Sequence, residues 1–247
     1  MMVFFLGFLI ALAIGVTGVG AGTLTAPLLI LALGLSPEVA VGTALLFGFL
    51  VKVPAGLVYL WRGQVSARAL GLLLLGGLPG VLLGSLLLVR LKEARDMVLF
   101  LVGLTVALSA GLSLYRTFRG LQVSQEKPRL LPLGGFGIGL EVGFSSAGAG
   151  ALGTLLLLHA TRLPPQRVVG TDILFGLALA LLGGGVHLYF GQVEPSLLLL
   201  LSVGGVLGAA LGALLATRVP TKPLRLALYL WLLFIGVQLV YRGVAHG

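Results

Sequence analysis

Charged side chains are almost absent from eight apolar stretches, at about 2–34, 38–60, 66–89, 94–115, 130–162, 167–189, 195–217 and 223–241. Six of these approach the roughly 20 residues that carry a helix across a bilayer. Only 9% of the 247 residues are charged and 58% are hydrophobic, whereas a soluble domain is about 25% charged. So few ionised groups cannot coat a water-soluble particle, so the chain reads as an all-α, polytopic membrane protein. The net charge of +9 is scattered between the apolar blocks, which indicates membrane topology and not a nucleic-acid partner. With no cysteine and three histidines, thiolate chemistry is excluded, and no metal site or cofactor is expected. Ala11-Leu12-Ala13 loosely resembles a signal-peptidase site, but no Lys or Arg precedes the apolar run. The segment is therefore expected to stay in the mature protein.

The chain repeats itself 128 residues on, without gaps. Gly15, Gly20, Gly22, Leu35, Pro37, Gly42, Thr43, Phe47 and Gly48 align with Gly143, Gly148, Gly150, Leu163, Pro165, Gly170, Thr171, Phe175 and Gly176. Gly63-Gln64-Val65 aligns with Gly191-Gln192-Val193, and Gly76, Gly80 and Gly84 with Gly204, Gly208 and Gly212. Apolar composition aligns Leu with Leu by chance, but not Gly, Pro and Thr in one register. The expected organisation is repeat 1 at 1–118, a polar linker at 119–129 and repeat 2 at 130–247.

The first block of each repeat exceeds 30 residues and is broken by glycines, at Gly15–Gly22 and Gly143–Gly150. Glycine costs about 1 kcal/mol in a helix interior, so such runs favour unwinding. If each broken block crosses once, Lys and Arg divide eight to seven between the two sides. If each is a re-entrant hairpin, Arg62, Arg68, Arg116, Arg119, Lys127, Arg129, Arg162, Arg167, Arg218, Lys222 and Arg225 share one side. Only Arg90, Lys92, Arg95 and Arg242 then face them. The positive-inside rule prefers the hairpins. Arms of about 12 to 14 residues, roughly 18–21 Å, are also short for a ~30 Å core. Three spans and a hairpin per repeat make the second repeat inverted, an arrangement that recurs in transporters. The single-crossing alternative makes the repeats parallel.

Where a helix restarts after each break, near Thr23 and Ala151, its first N–H groups are unpaired and electropositive. Two facing tips, with hydroxyls from Thr17, Thr23, Ser145 and Ser146, form an anion site without a buried cation. The competing explanation is that the glycines only let helices pack closely. That explanation is preferred for the glycines spaced by four. The residues expected to admit and bind an anion are Gly20, Gly22, Thr23, Thr43, Ser145, Ser146, Gly148, Gly150 and Thr171. Lys52, Glu141 and Asp172 fall inside apolar blocks, where a charge costs about 2.5–3.5 kcal/mol or more. Either they form a satisfied structural pair, or a carboxylate titrates and couples flux to protons. His159 and His187, near block ends, are expected at the interface. Trp61, Tyr59, Tyr189, Trp231 and Tyr241 suit an aromatic belt.

Gly-x-Gly-x-Gly, an apolar run with Pro27, then Leu35-Ser-Pro-x-x-Ala40-x-Gly-Thr43, Tyr59 and Gly63-x-Val65 resemble the sulfite exporter TauE/SafE family. The degenerate second copy, Gly143 to Val193, resembles it too, with Val in place of the small residue before Gly170-Thr171. The resemblance implies a multi-pass inner-membrane permease for sulfite, sulfonates or related organic anions. Alternating access about the glycine tips is the expected mechanism. A passive anion channel and a carrier of an unrelated small anion are the alternatives. The expected partners are the small anion and the lipid bilayer, with a homo-oligomer left open. An intramembrane enzyme would need a nucleophile–base pair or metal cluster, and the chain has no His-x-x-x-His or Glu-x-x-His spacing. An assembly subunit would favour a soluble domain or long tail, which this sequence lacks.

Overall fold

The apolar blocks become helices, and the glycine breaks divide the two long ones. A computed structural model describes residues 1–17, 21–91, 95–119, 126–147, 150–215 and 221–245. Among them are ten helices: α1 Met2–Thr17, α2 Ala21–Leu33, α3 Pro37–Trp61, α4 Ala67–Arg90, α5 Arg95–Arg119, α6 Leu130–Ser145, α7 Ala151–Ala160, α8 Pro165–Tyr189, α9 Pro195–Leu215 and α10 Thr221–Ala245. Six of them, α3, α4, α5, α8, α9 and α10, are long and apolar enough to cross a membrane. Many large apolar side chains point outward, as a lipid-facing surface requires, among them Leu75, Leu108, Leu199 and Phe234. Trp61 and Tyr189, at opposite ends of the bundle, are over 80% exposed, at 84% and 85%.

Glycine-lined backbone contact sets the helix directions. Gly76, Gly80 and Gly84 of α4 lie on the carbonyls of Pro132, Phe136 and Leu140 in α6, so close that a Cβ would overlap each oxygen. Gly204, Gly208 and Gly212 of α9 lie in the same way on Phe4, Phe8 and Leu12 of α1. The two registers advance together, so α4 runs parallel to α6, and α9 to α1. Gly77 against Phe175 and Gly183 against Val81 and Ser85 set α8 parallel to α4. Hence α6 and α8 run one way and the intervening α7 runs back. The Lys127 N–H donates to the Ala160 carbonyl at 3.0 Å, closing the base of this α6–α7 hairpin.

α3 and α8 cross the centre antiparallel, with Gly56 against Leu174 and Leu177, and Gly184 against Leu46. α9 returns from α8 through a tight turn, so it runs with α3. α1, parallel to α9, does too, and α2 between α1 and α3 runs back. α5 and α10 pair antiparallel at the side, Gly103 meeting Gly236 and Val240.

Contacts recur 128 residues apart. Phe47 and Phe175 are fully buried, one against Gly205 and the other against Gly77. α3 and α8 both begin with proline, Pro37 and Pro165, whose missing N–H costs nothing at a helix start. Both reverse at a glycine in the left-handed region, Gly63 at φ 62° and Gly191 at φ 68°, where a side chain would be strained. Each turn is tied to the other helix: Ser66 N–H donates to Thr171 Oγ1 at 2.9 Å, and Glu194 N–H to Thr43 Oγ1 at 3.2 Å.

These directions put Arg62, Arg68, Lys127, Arg129, Arg162 and Arg167 at one end of the bundle, where α3 and α7 end and α4, α6 and α8 begin. Glu38, Asp96 and Glu194 lie at the other end, with Arg90. One expectation is corrected here. His187 is not interfacial but fully buried, because its Nδ1 meets Gln192 Oε1 at 2.8 Å and its Nε2 the Gly143 carbonyl at 3.4 Å.

Close backbone approach gives a test. Gly80→Ala and Gly208→Ala should each cost about 1–3 kcal/mol, because their Cβ meets backbone that must shift. Gly71→Ala and Gly137→Ala, which face open space, should lose nothing. Thermal unfolding in detergent measures this, and four equal melting temperatures would contradict the packing.

Candidate functional site

The first turn of α2 meets the end of α6. α6 stops at Ser145 because Ser146 turns into the left-handed region, φ 62° and ψ −1°, with its N–H donating to the Val142 carbonyl at 2.8 Å. Ser146 is the non-glycine residue with positive φ among the described residues, a conformation in which a serine is uncommon. Its carbonyl and Oγ sit directly on Gly22, where a Cβ would overlap both. The first turn of α2 is thereby seated on the tip of the α6–α7 hairpin.

Polar groups converge at that contact. The Ser145 hydroxyl donates to the Glu141 carbonyl at 2.9 Å and accepts from the Ala147 N–H at 3.2 Å, holding the tip. Ser146 is 5% exposed, yet its Oγ has no hydrogen-bond partner among the described residues. A buried hydroxyl without a partner costs on the order of 1–3 kcal/mol, so it asks for an explanation. Thr23 and Thr25 are buried in the first turns of α2, whose initial N–H groups have no acceptor inside the helix. α7 restarts at Gly150, φ 107°, with no side-chain cap hydrogen bond. A pair of helix starts and an unpartnered hydroxyl constitute a donor-rich environment suited to a small anion.

Gly22, Thr23, Ser145, Ser146 and Gly150 therefore lie at or beside the tips. Gly20 and Gly148 lie outside the described residues, as does the side chain of Thr17. Thr43 and Thr171 each hold a turn. Each accepts a backbone N–H from the opposite turn, and Thr171 also donates to the Arg167 carbonyl at 2.6 Å. Along the antiparallel α3–α8 pair they stand about 24 Å apart, by a 1.5 Å rise per residue.

The ionisable residues form two groups. Asp172 of α8 accepts the Thr154 hydroxyl of α7 at 2.7 Å, and its charge acts on Lys52 of α3. Glu141, on α6, accepts the hydroxyl of Ser109 from α5. It lines a cavity of about 330 Å³ together with Leu87, Thr105, Leu140, Phe144 and Leu152. Sequence reasoning did not single out Ser109, Thr105 or Thr154. Their signal was the Thr105, Ser109, Ser113 stripe at four-residue spacing, which places three hydroxyls on one face of α5. No group of three His, Asp or Glu able to hold a metal occurs among the described residues.

Comparison with known proteins finds relatives along nearly the whole chain. The profile of the family described as "Sulfite exporter TauE/SafE" matches residues 3–239. "Probable membrane transporter protein YjnA" of Bacillus subtilis (strain 168) is 26% identical over 95% of this chain and 97% of its own length. A "Probable membrane transporter protein" of Xylella fastidiosa (strain 9a5c) is 29% identical over 86% of this chain and 83% of its own. No solved structure matches the chain.

The turn threonines can be tested apart from the tips. Thr43→Val and Thr171→Val each strand a backbone N–H and should cost about 1–2 kcal/mol in thermal unfolding. Thr43→Ser and Thr171→Ser keep the acceptor and should melt close to wild type. Equal melting of the valine and serine variants would remove the latch.

Proposed function

The chain belongs to the sulfite exporter TauE/SafE family, a family of multi-pass membrane transporters and not of enzymes, and from that premise we propose that it carries sulfite or a related small sulfur-containing anion. The anion binds where Gly22 at the start of α2 meets Ser146 at the end of α6. The observation that carries this reading is the buried Ser146 hydroxyl, without a hydrogen-bond partner among the described residues and seated against the first turn of α2. A sulfite oxygen accepting from both satisfies each donor, and no lysine or arginine is needed beside it. Binding through partial charges keeps the complex loose enough to release its cargo. A full buried cation would hold the anion more tightly.

Two copies of one unit, 1–118 and 130–247, joined by 119–129, make the mechanism. The contacts repeated 128 residues apart and the antiparallel course of α3 and α8 support inverted repeats. Each broken helix is then a re-entrant hairpin that enters and leaves by one face. Rocking of one repeat against the other exposes the tips alternately to the two sides. The arginine-rich end faces the cytoplasm by the positive-inside rule, in a bacterial-type inner membrane. A passive anion channel is the rival, and accumulation above equilibrium separates the two.

Reconstitution tests the site. Ser146→Ala removes one unpartnered hydroxyl and should melt at or above wild type without the anion, because that buried group is costly, while lowering labelled-sulfite flux about tenfold, the worth of one charge-assisted hydrogen bond. Gly22→Ala should abolish flux with the protein still inserted. Undiminished flux in both would place the anion elsewhere.

A further inference from the structure

Glu141 has an environment that packing does not require. It sits eleven residues into α6, about 17 Å along the helix. One hydroxyl, from Ser109, reaches it. The other residues lining its cavity are Leu, Phe and Thr105. The position 128 residues earlier is Ala13, and those matching Ser109 and Thr105 are Val237 and Leu233. α1 lies on α9 through the same glycine contacts as α6 on α4, with no carboxylate there. A membrane helix pair that closes equally well around alanine does not need glutamate to fold, and a carboxylate in that setting is costly.

Among the described residues, no cation is recorded against it. α4 and α7 bring leucines to the cavity and α5 brings Thr105 and Ser109, while α2 has no titratable residue. On α3, Lys52 lies within electrostatic reach of Asp172 of α8. His187 of α8 reaches α6 at Gly143, two residues and so about 200° around the helix from Glu141. Meanwhile the Glu141 carbonyl holds Ser145, and Ser145 holds Ala147, so one helical turn links the carboxylate to the anion tip.

We propose that Glu141 is the proton-binding residue that couples anion movement to a proton gradient, its charge sensed at the tip through Ser145. This rests on the reading of the tips as the anion site. Glu141 binds a proton on one side of the membrane and releases it on the other. One negative charge is thereby cancelled while the cargo crosses. Glu141 does not touch the anion. It positions the tip.

Proteoliposomes carrying wild type or Glu141→Gln separate the possibilities. Labelled-sulfite exchange is read without a gradient, and accumulation with a proton gradient at alkaline pH on both sides, where the neutral permeant form of the acid is negligible. Purified protein without sulfite is also treated with dicyclohexylcarbodiimide, which reacts with protonated carboxyls in apolar surroundings, and the adduct is located by mass spectrometry. Exchange within twofold of wild type, loss of gradient-driven accumulation, and wild-type labelling at Glu141 that rises as pH falls are expected. Accumulation by Glu141→Gln equal to wild type, or no labelling at any pH, overturns the proposal. If neither protein exchanges sulfite, the anion reading fails by itself. Labelling then decides alone: pH-dependent adduct at Glu141 keeps it as a proton site, and its absence removes it.

Discussion

Breaking a helix inside a membrane bares backbone N–H and carbonyl groups that lipid cannot satisfy, and this fold seats both of its broken helices closely on a neighbour. The seating is backbone pressed on backbone. α1 lies on α9 and α6 on α4 through glycine rows that bring carbonyl oxygens to where side chains would otherwise be. Cβ-free surfaces allow this approach along three turns, giving van der Waals contact where the hydrophobic effect supplies no force between helices. With the broken helices fixed in this way, Gly22 and Ser146 touch, and the start of one helix is set against a buried hydroxyl that has no hydrogen-bond partner among the described residues. Loosening the rows would let lipid or water reach the same groups and erase the site.

α3 and α8 give the structure its second constraint. They cross at the centre, and each holds the turn that follows the other through a threonine hydroxyl. Both ends of the central pair are therefore locked, while the hairpins against them carry the short helices. Such a division suits a carrier: a rigid crossing about which lighter elements tilt. Charge is distributed unevenly over it. Ala13, Ala26, Ala44 and Ala180 stand 128 residues from Glu141, Thr154, Asp172 and Lys52. All four polar members are thus carried on one side of a correspondence whose other side is alanine.

Much of this was readable from the residues alone, for definite reasons. Helix ends followed from the apolar blocks, since in lipid a helix runs until its carbonyls find water or a turn residue. Pro37, Pro165, Gly63 and Gly191 marked those ends by backbone conformation, which is local. The arginines favour doubling back at the breaks over a single crossing, since loop charge is counted along the chain. What the sequence concealed depends on which helices become neighbours. Thr43 and Thr171 recur beside glycine, and the sequence does not tell that each glycine admits a turn from another helix whose N–H the hydroxyl accepts. His187 looked interfacial by its place near a block end, but Gln192 and the Gly143 carbonyl hold it inside. The pairing of Glu141 with Ser109 joins helices 32 positions apart in sequence, and no spacing rule reaches across that.

Direct location of the anion is the measurement that decides most. Selenite, the heavier congener of sulfite, can be soaked into crystals of the full chain and found by the anomalous scattering of selenium. The account predicts a selenium site at the junction of the tips, with oxygens in hydrogen-bonding reach of Ser146 Oγ and the first N–H groups of α2. Selenium bound only at the arginine-rich end, or in the cavity beside Glu141, would contradict it.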